Sequence, residues 1–373
     1  MSRSIRFIGG SAIAWGTVIA FLFFGKIWLG ELGSGLKAAV FFLWLLAVIA
    51  WCAVSVVGEA EHLADLLGEP LGTLVLTLSI VIIEVALISA LMLNTDSEPT
   101  LGRDTMFAVL MIVLNGAVGL ALLLGGWRHR EQVYNLQGAV AYLAVITPLS
   151  VIALILPKFT VSGGNATLTI IQSFFFSLFT LLLYAVFLAV QTVRHRSFFA
   201  EPSIELTSSS FLRGKGTHAR STVRQVGWHT LLLIVLILPI VLLAKQLAKL
   251  LEYGITTLHA PPALGGVLIA LIVFTPEGMS ALRAALANEL QRAVNLSLGA
   301  ATSTIGLTVP AVVGIGLLTG QQVVLGVDNA SAVLLATTLL LSVVTFCGAR
   351  TTVLEGGVHL VMFGVYIVLI FSP

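Results

Sequence analysis

Hydrophobic runs long enough to cross a bilayer, about 20 residues each, alternate with short polar breaks along nearly the whole chain. They lie near 11–29, 36–57, 72–94, 105–126, 135–157, 167–192, 228–251, 263–286, 293–318, 329–348 and 353–371. The pattern predicts an all-α polytopic membrane protein with about 11 transmembrane helices. No small-residue cleavage site follows the first run, so it reads as a retained span. One polar stretch is long, about 193–227. It carries Arg194, His195, Arg196, Arg213, Lys215, His218, Arg220 and Arg224 among Ser, Thr and Gly. It reads as a solvated linker between two halves rather than a binding domain.

Composition agrees with the pattern. Of the 373 residues 58% are hydrophobic and 10% charged, with a mean hydropathy of +1.06; soluble domains carry about 25% charged residues. A net charge of +2 is too small to imply a nucleic-acid partner. Cys52 and Cys347 lie in apolar runs and offer neither metal-ligand spacing nor a disulfide framework. With the N-terminus inside, 13 of the 19 lysines and arginines fall on the cytoplasmic side. These are Arg3, Arg6, Arg128, Arg130, the six of the long stretch, Arg283, Arg292 and Arg350. The bias predicts an N-in, C-out orientation.

Two stretches share one plan. Gly72 stands twelve residues before Glu84, and Gly265 stands twelve before Glu277. A carboxylate twelve residues into a helix lies about 18 Å along it, roughly half a bilayer deep. Leu63–Leu67 precedes the first stretch and Leu247–Leu251 the second, each read as a short amphipathic lead-in. Residues 36–192 and 228–373 then hold five spans each, after a first span in 1–35. An odd number of crossings inverts one half relative to the other, giving a 1+5+5 plan with its site at the midplane.

An ionisable residue inside a membrane helix is costly and points to function. Glu84 and Glu277 are therefore the candidate cation- and proton-binding residues. The bland alternative for Glu84 is a protonated glutamate hydrogen-bonded to a neighbouring helix. Thr77 shares the Glu84 face, with Ser79 nearby; Ser280 and Asn288 are placed with Glu277, with Thr275 beside it. Pro276 leaves the carbonyl near Ile272 without its helical donor, which either frees it toward a cation or marks a tolerated kink. Asn115, Gly119 and Gly126 follow one stripe, as do Asn295, Gly299, Thr302 and Gly306, with Ser303 adjacent. For Asn115, Asn295, Thr302 and Ser303, interhelical hydrogen bonding and cation ligation both stand. Glu355 and His359 are four apart, a spacing for a metal, a proton path or a helix cap. Glu59, Glu61 and His62, with Asp65, form an acidic cluster at the cytoplasmic side. A solvated face, a cation-collecting vestibule and a regulatory site are its three readings.

The segments Pro276-Glu277-Gly278, Asn288-Glu289-Leu290, Leu298-Gly299-Ala300-Ala301-Thr302-Ser303 and Val309-Pro310 resemble the second alpha repeat of the cation/proton exchangers (CAX), within the calcium/cation antiporter superfamily. Leu63 to Glu84 resembles the first alpha repeat, and Leu354-Glu355-Gly356 the last span. The alpha regions then cover about 63–126 and 247–318. The forms around the glutamates look most like the bacterial ChaA-type antiporters. Asparagines of the family pattern are here Val81 and Phe274, and its frequent histidine is Gly278. The resemblance implies an inner-membrane secondary transporter that is not an enzyme and has no cofactor. Its substrates would be Ca²⁺, Na⁺ or K⁺, and protons, with the transported cation between Glu84 and Glu277. A passive channel lined by the same carboxylates is the alternative, disfavoured because rings of ligands in an oligomer are the commoner channel plan.

Overall fold

The structure, a computed structural model, describes residues 2–30, 35–68, 71–92, 99–161, 167–202, 223–321, 323–348 and 350–372. Eleven helical rods account for nearly all of it. They are α1 (Ser2–Gly30), α2 (Gly35–Leu67), α3 (Leu71–Met92), α4 (Leu101–His129), α5 (Leu136–Phe159) and α6 (Ile170–Arg194). After the long polar stretch come α7 (Val223–Thr257), α8 (Ala263–Leu286), α9 (Leu290–Thr319), α10 (Asn329–Thr345) and α11 (Val353–Phe371).

Every predicted span falls on one helix; among the described residues nine of these helices are long and apolar enough to cross a membrane, and α3 and α10 are shorter apolar helices. Two helices are much longer than their apolar windows. Leu63–Leu67 and Leu247–Leu251 are not separate pieces but the last turns of α2 and α7, because their Leu and Ala positions carry the helical stripe onward. A two-residue antiparallel ribbon, Gln132–Val133 with Arg350–Thr351, adds β-structure that the hydrophobic pattern does not show. It ties the α4–α5 turn to the α10–α11 turn. Positions 203–222, with Arg213, Lys215, His218 and Arg220, lie outside the described residues. Ahead of them stands a short 3₁₀ turn, Arg196–Phe199.

Two apolar cores meet along α8. Val267, Ala270 and Phe274 belong to the core built with α4, α5, α9, α10 and α11. Ile269, Ile272 and Val273 belong to the core shared by α1, α2, α3 and α7. α4 is the innermost helix, with 83% of its most apolar window buried against 22% for α6 and α11.

Glycines set the closest approaches, as expected where lipid removes the hydrophobic drive between helices. A Cβ on Gly266 of α8 would lie 2.7 Å from the Thr105 backbone nitrogen of α4. On Gly356 of α11 it would meet the Leu123 nitrogen of α4 at 2.3 Å, and on Gly306 of α9 the Tyr184 Cβ of α6 at 2.8 Å. The third helix of each five thus packs on the last helix of the other five. α4 and α9 also share a wide π turn near mid-length, at Met111–Ala117 and Thr304–Thr308.

Because backbone cannot move as a side-chain tip can, Gly356→Ala should destabilise the protein by about 1–3 kcal/mol. Gly357→Ala, whose Cβ meets nothing within 4 Å, should be close to neutral. Thermal unfolding in detergent compares the two.

Candidate functional site

The site forms where α3, α8 and the π turn of α9 come together. Glu84, past the middle of α3, is 0% exposed. Thr304 Oγ1 donates to its Oε2 at 3.0 Å, while its Oε1 has no hydrogen-bond partner. Thr308, one turn beyond Thr304, also faces Glu84, its hydroxyl outside hydrogen-bond geometry and without a partner. Glu277 on α8 keeps 8% exposure. Its helix packs against α3, which carries Glu84, and against α2. Among the described residues, no lysine or arginine forms an ion pair with either carboxylate. Nor do the described residues hold a cluster of three or more His, Cys, Asp or Glu able to keep a resident metal. Two carboxylates and nearby hydroxyls instead make an all-oxygen, incompletely satisfied set, suited to a hard cation that comes and goes.

Local sequence explains this placement. Pro276 sits inside α8 directly before Glu277 and leaves the Ile272 carbonyl without its helical donor. Phe274 and Gly278 are complementary: a Cβ on Gly278 would lie 2.9 Å from the Phe274 ring. With the large Phe274 ring there, any side chain at the position four residues on would have to displace it. Val81 on α3 is likewise buried and apolar, so neither position offers a ligand.

The structure separates the other candidates. Thr302 and Ser303 are buried beside Thr304 but spend their hydroxyls on carbonyls of their own helix, Leu298 at 2.7 Å and Ala300 at 3.0 Å. Ser79 does the same with Val75. Thr77 is half-buried next to Tyr184 of α6, and Ser280 is half-buried on α8. Thr275 is turned outward and bonds to the Leu271 carbonyl. It lies off the Glu277 face because neighbours on a helix point about 100° apart.

Asn288 does not share the Glu277 face. α8 ends at Leu286, and Asn288 takes a left-handed turn conformation (φ 65°), where asparagine is tolerated. Its Oδ1 accepts from Gln132 Nε2 at 3.1 Å. Asn295 also stands apart, donating to the Phe199 carbonyl at 2.7 Å and accepting from Gln291 at 2.8 Å. Glu355 and His359 are not a metal pair. Glu355 closes the α11 capping box, accepting from the Thr352 backbone N–H at 2.8 Å and from its hydroxyl at 2.6 Å. His359 is turned to Asn115 instead. Glu59 pairs with His229 of α7 at 2.8 Å, and the His62 ring stacks edge-on to His229 with centroids 4.4 Å apart.

Thr304 and Thr308 escaped sequence reading. Their spacing of four was visible, but the π turn shifts the phase of the stripe, and a regular helix drawn through Thr302 misplaces them.

The chain is similar to known proteins along most of its length. The family described as "Sodium/calcium exchanger protein" matches residues 37–193 and 228–372, one match on either side of the polar stretch. A putative ionic transporter, y4hA, of Sinorhizobium fredii is 38% identical over 338 residues, 90% of each chain. The sodium-potassium/proton antiporter ChaA of Escherichia coli is 38% identical over 320 residues, 86% of each chain. Among solved structures, native YfkE aligns over 97% of this chain and 99% of its own with a TM-score of 0.71 at 16% identity. An H⁺/Ca²⁺ exchanger, CAX, aligns over 99% and 89% with a TM-score of 0.68 at 13% identity.

If Phe274 excludes a side chain at 278, Gly278→His alone should destabilise by about 1–3 kcal/mol. Phe274→Asn combined with Gly278→His should recover most of that loss in thermal unfolding. Equal stability of the single and double variants would contradict the pairing.

Proposed function

The chain belongs to the sodium/calcium exchanger protein family, and from that premise we propose that it is a cation/proton antiporter. It is a multi-pass protein of the bacterial inner membrane, in a family of transporters rather than enzymes. In this reading it extrudes Ca²⁺, Na⁺ or K⁺ in exchange for protons. The observation that carries the reading is the sealed Glu84 carboxylate, with one oxygen unpartnered, on a helix packed against the one that carries Glu277.

Two bare carboxylates side by side in a low-dielectric interior repel each other and lose their hydration. A proton on each removes the charge. A cation between them offsets it and fills the oxygens that lack donors. Either ligand discharges the same pair, so binding of one excludes the other, and that exclusion couples their movements. Thr304 and Thr308 add hydroxyl oxygens on the Glu84 side. Pro276 adds the unbonded Ile272 carbonyl near Glu277.

Residues 36–192 and 228–373 act as the inverted halves of the carrier, with 1–35 outside the repeat and 193–227 as a cytoplasmic linker. The reciprocal packing of α4 on α11 and of α9 on α6 supports this division, as do the matching π turns. Alternating access then rocks one set of helices against the other along α8, where the two cores meet. The protein stands N-in and C-out.

Purified protein in proteoliposomes should show cation-dependent proton movement, including uphill cation flux driven by an imposed pH step, which a channel cannot give. Glu84→Gln or Glu277→Gln should each lower the exchange rate about a hundredfold, equivalent to roughly 2.7 kcal/mol. Full exchange by either variant would refute the shared site. Cys347 is exposed at the α10–α11 end and Cys52 is buried, so the native chain reports its own orientation. A membrane-impermeant thiol reagent should label inverted vesicles and leave intact spheroplasts unlabelled.

A further inference from the structure

Where α4, α8 and α10 begin and α11 ends, a cavity of about 290 Å³ opens among the four helices. Glu277 lies fourteen residues further along α8 than Ala263, which lines the cavity. That is about 21 Å along the axis, so the cavity is separate from the place of the two glutamates. Helix ends in a bilayer lie at the depth of the lipid headgroups. The wall of the cavity is apolar, with Leu334, Leu369 and Ile370. Their chain neighbours Val333, Val368 and Phe371 stay 67%, 63% and 61% exposed, so this wall continues into lipid-facing surface.

The polar lining carries both signs of charge. Arg103 Nε pairs with Asp104 at 2.8 Å, and Arg103 Nη1 donates to the Gly326 carbonyl at 2.9 Å. Asp104 Oδ2 accepts from Thr100 at 2.9 Å, so both its oxygens are engaged and it serves to aim the guanidinium. Asp328 is exposed and gives one oxygen to the Ser331 N–H at 2.9 Å. Tyr366 lines the cavity and is only 4% exposed, yet among the described residues its hydroxyl has no hydrogen-bond partner. Its ring is fixed edge-on to Phe107, centroids 5.5 Å apart, so the hydroxyl is not free to swing elsewhere. A polar group buried without a partner is costly unless a ligand completes it. α8 opens on Pro262 with no side-chain cap, which leaves the positive end of that helix at the cavity as well.

One guanidinium against two carboxylates leaves this lining with a single negative charge. A headgroup that is only anionic is repelled by it. One that is only cationic offers nothing to the Tyr366 hydroxyl or to the start of α8. A phosphate and a primary ammonium together meet both demands. We propose that the cavity binds the headgroup of a phospholipid of the phosphatidylethanolamine type, its chains lying against α10 and α11. The phosphate accepts from Tyr366, Arg103 and the first turn of α8, and the ammonium donates to Asp328. Such a lipid bridges α8 to α10 and α11, and so steadies the start of the helix that carries Glu277. The inference stands independently of the antiporter reading.

The test follows thermal unfolding of the purified full chain in detergent while a short-chain phosphatidylethanolamine is added. Saturable stabilisation is expected, half-complete at a concentration about tenfold below that needed for phosphatidylglycerol or phosphatidylcholine of equal chain length. The first of these lacks the ammonium, and the second lacks its N–H donors. Tyr366→Phe, Arg103→Gln and Asp328→Asn should each raise the half-saturating concentration of phosphatidylethanolamine about tenfold. Asparagine at 328 keeps the cap of α10, and phenylalanine at 366 keeps the ring. Equal half-saturation by the three lipids, or unchanged values in all three variants, overturns the proposal. Free phosphoethanolamine, the headgroup without chains, should give no shift over the same range. A shift equal to that of the lipid assigns the cavity to a soluble ligand and overturns lipid docking. Should the variants not fold, native mass spectrometry of the unmutated protein decides. Retention of phosphatidylethanolamine over phosphatidylglycerol from an equimolar mixture supports the site, and no preference overturns it.

Discussion

The strongest physical constraint on this fold is a pair of buried carboxylates, Glu84 and Glu277, without a counter-charge among the described residues. Moving an ion of that kind out of water costs several kcal/mol even after the protein relaxes. Glu84 and Glu277 receive no ammonium or guanidinium partner among the described residues. The surroundings supply only hydroxyls, carbonyls and apolar walls. In the proposed antiporter, such a site is stable when a proton or a cation occupies it and strained when neither does. On that reading, a permanent salt bridge would remove the strain and with it any reason to exchange ligands.

The rest of the fold can be understood as keeping that place both sealed and movable. α8 lies between two apolar cores and carries Glu277 at their boundary. Bilayer helices gain little from hydrophobic burial against each other, so contact depends on close backbone approach. Gly266, Gly306 and Gly356 provide it, and each one joins a helix before the long polar stretch to a helix after it. Tight packing at a few glycine seams, with smooth aliphatic surface elsewhere, suits rigid bodies that shift without unfolding. The π turns of α4 and α9 fall in the middle of those helices, whereas the further π turns, Val151–Ile155 of α5 and Val190–Arg194 of α6, lie toward their C-terminal ends.

Most polar residues that looked equivalent in the chain turn out to serve helix ends and turns. Asn288 is the left-handed residue of a turn, Asn295 secures the chain near Phe199, and Glu355 satisfies the N–H groups that open α11. Each lies near the end of a helix, where backbone groups lack intrahelical partners and recruit side chains. The same residue types at mid-membrane depth have no such demand upon them. Asn115 and His359 are of that second kind, and their fully buried network is correspondingly specific.

What the sequence by itself determined is everything that rests on hydrophobic run length and on the cost of buried charge. Eleven apolar helices, nine of them long enough among the described residues to cross a membrane, and two buried glutamates follow from those two rules, which act locally and survive any detail of packing. What only the tertiary structure decided is which neutral polar residues accompany them. Thr304 and Thr308 face Glu84 because a π turn changes the phase of α9. Gly278 is small because Phe274 lies over it. Thr275 faces outward although it is two residues from Glu277. Such outcomes depend on helix phase and on contacts between distant segments, where a hydroxyl can be satisfied by its own backbone as readily as by a neighbour. A buried carboxylate has no such local remedy, and for that reason it could be recognised before any neighbour was known.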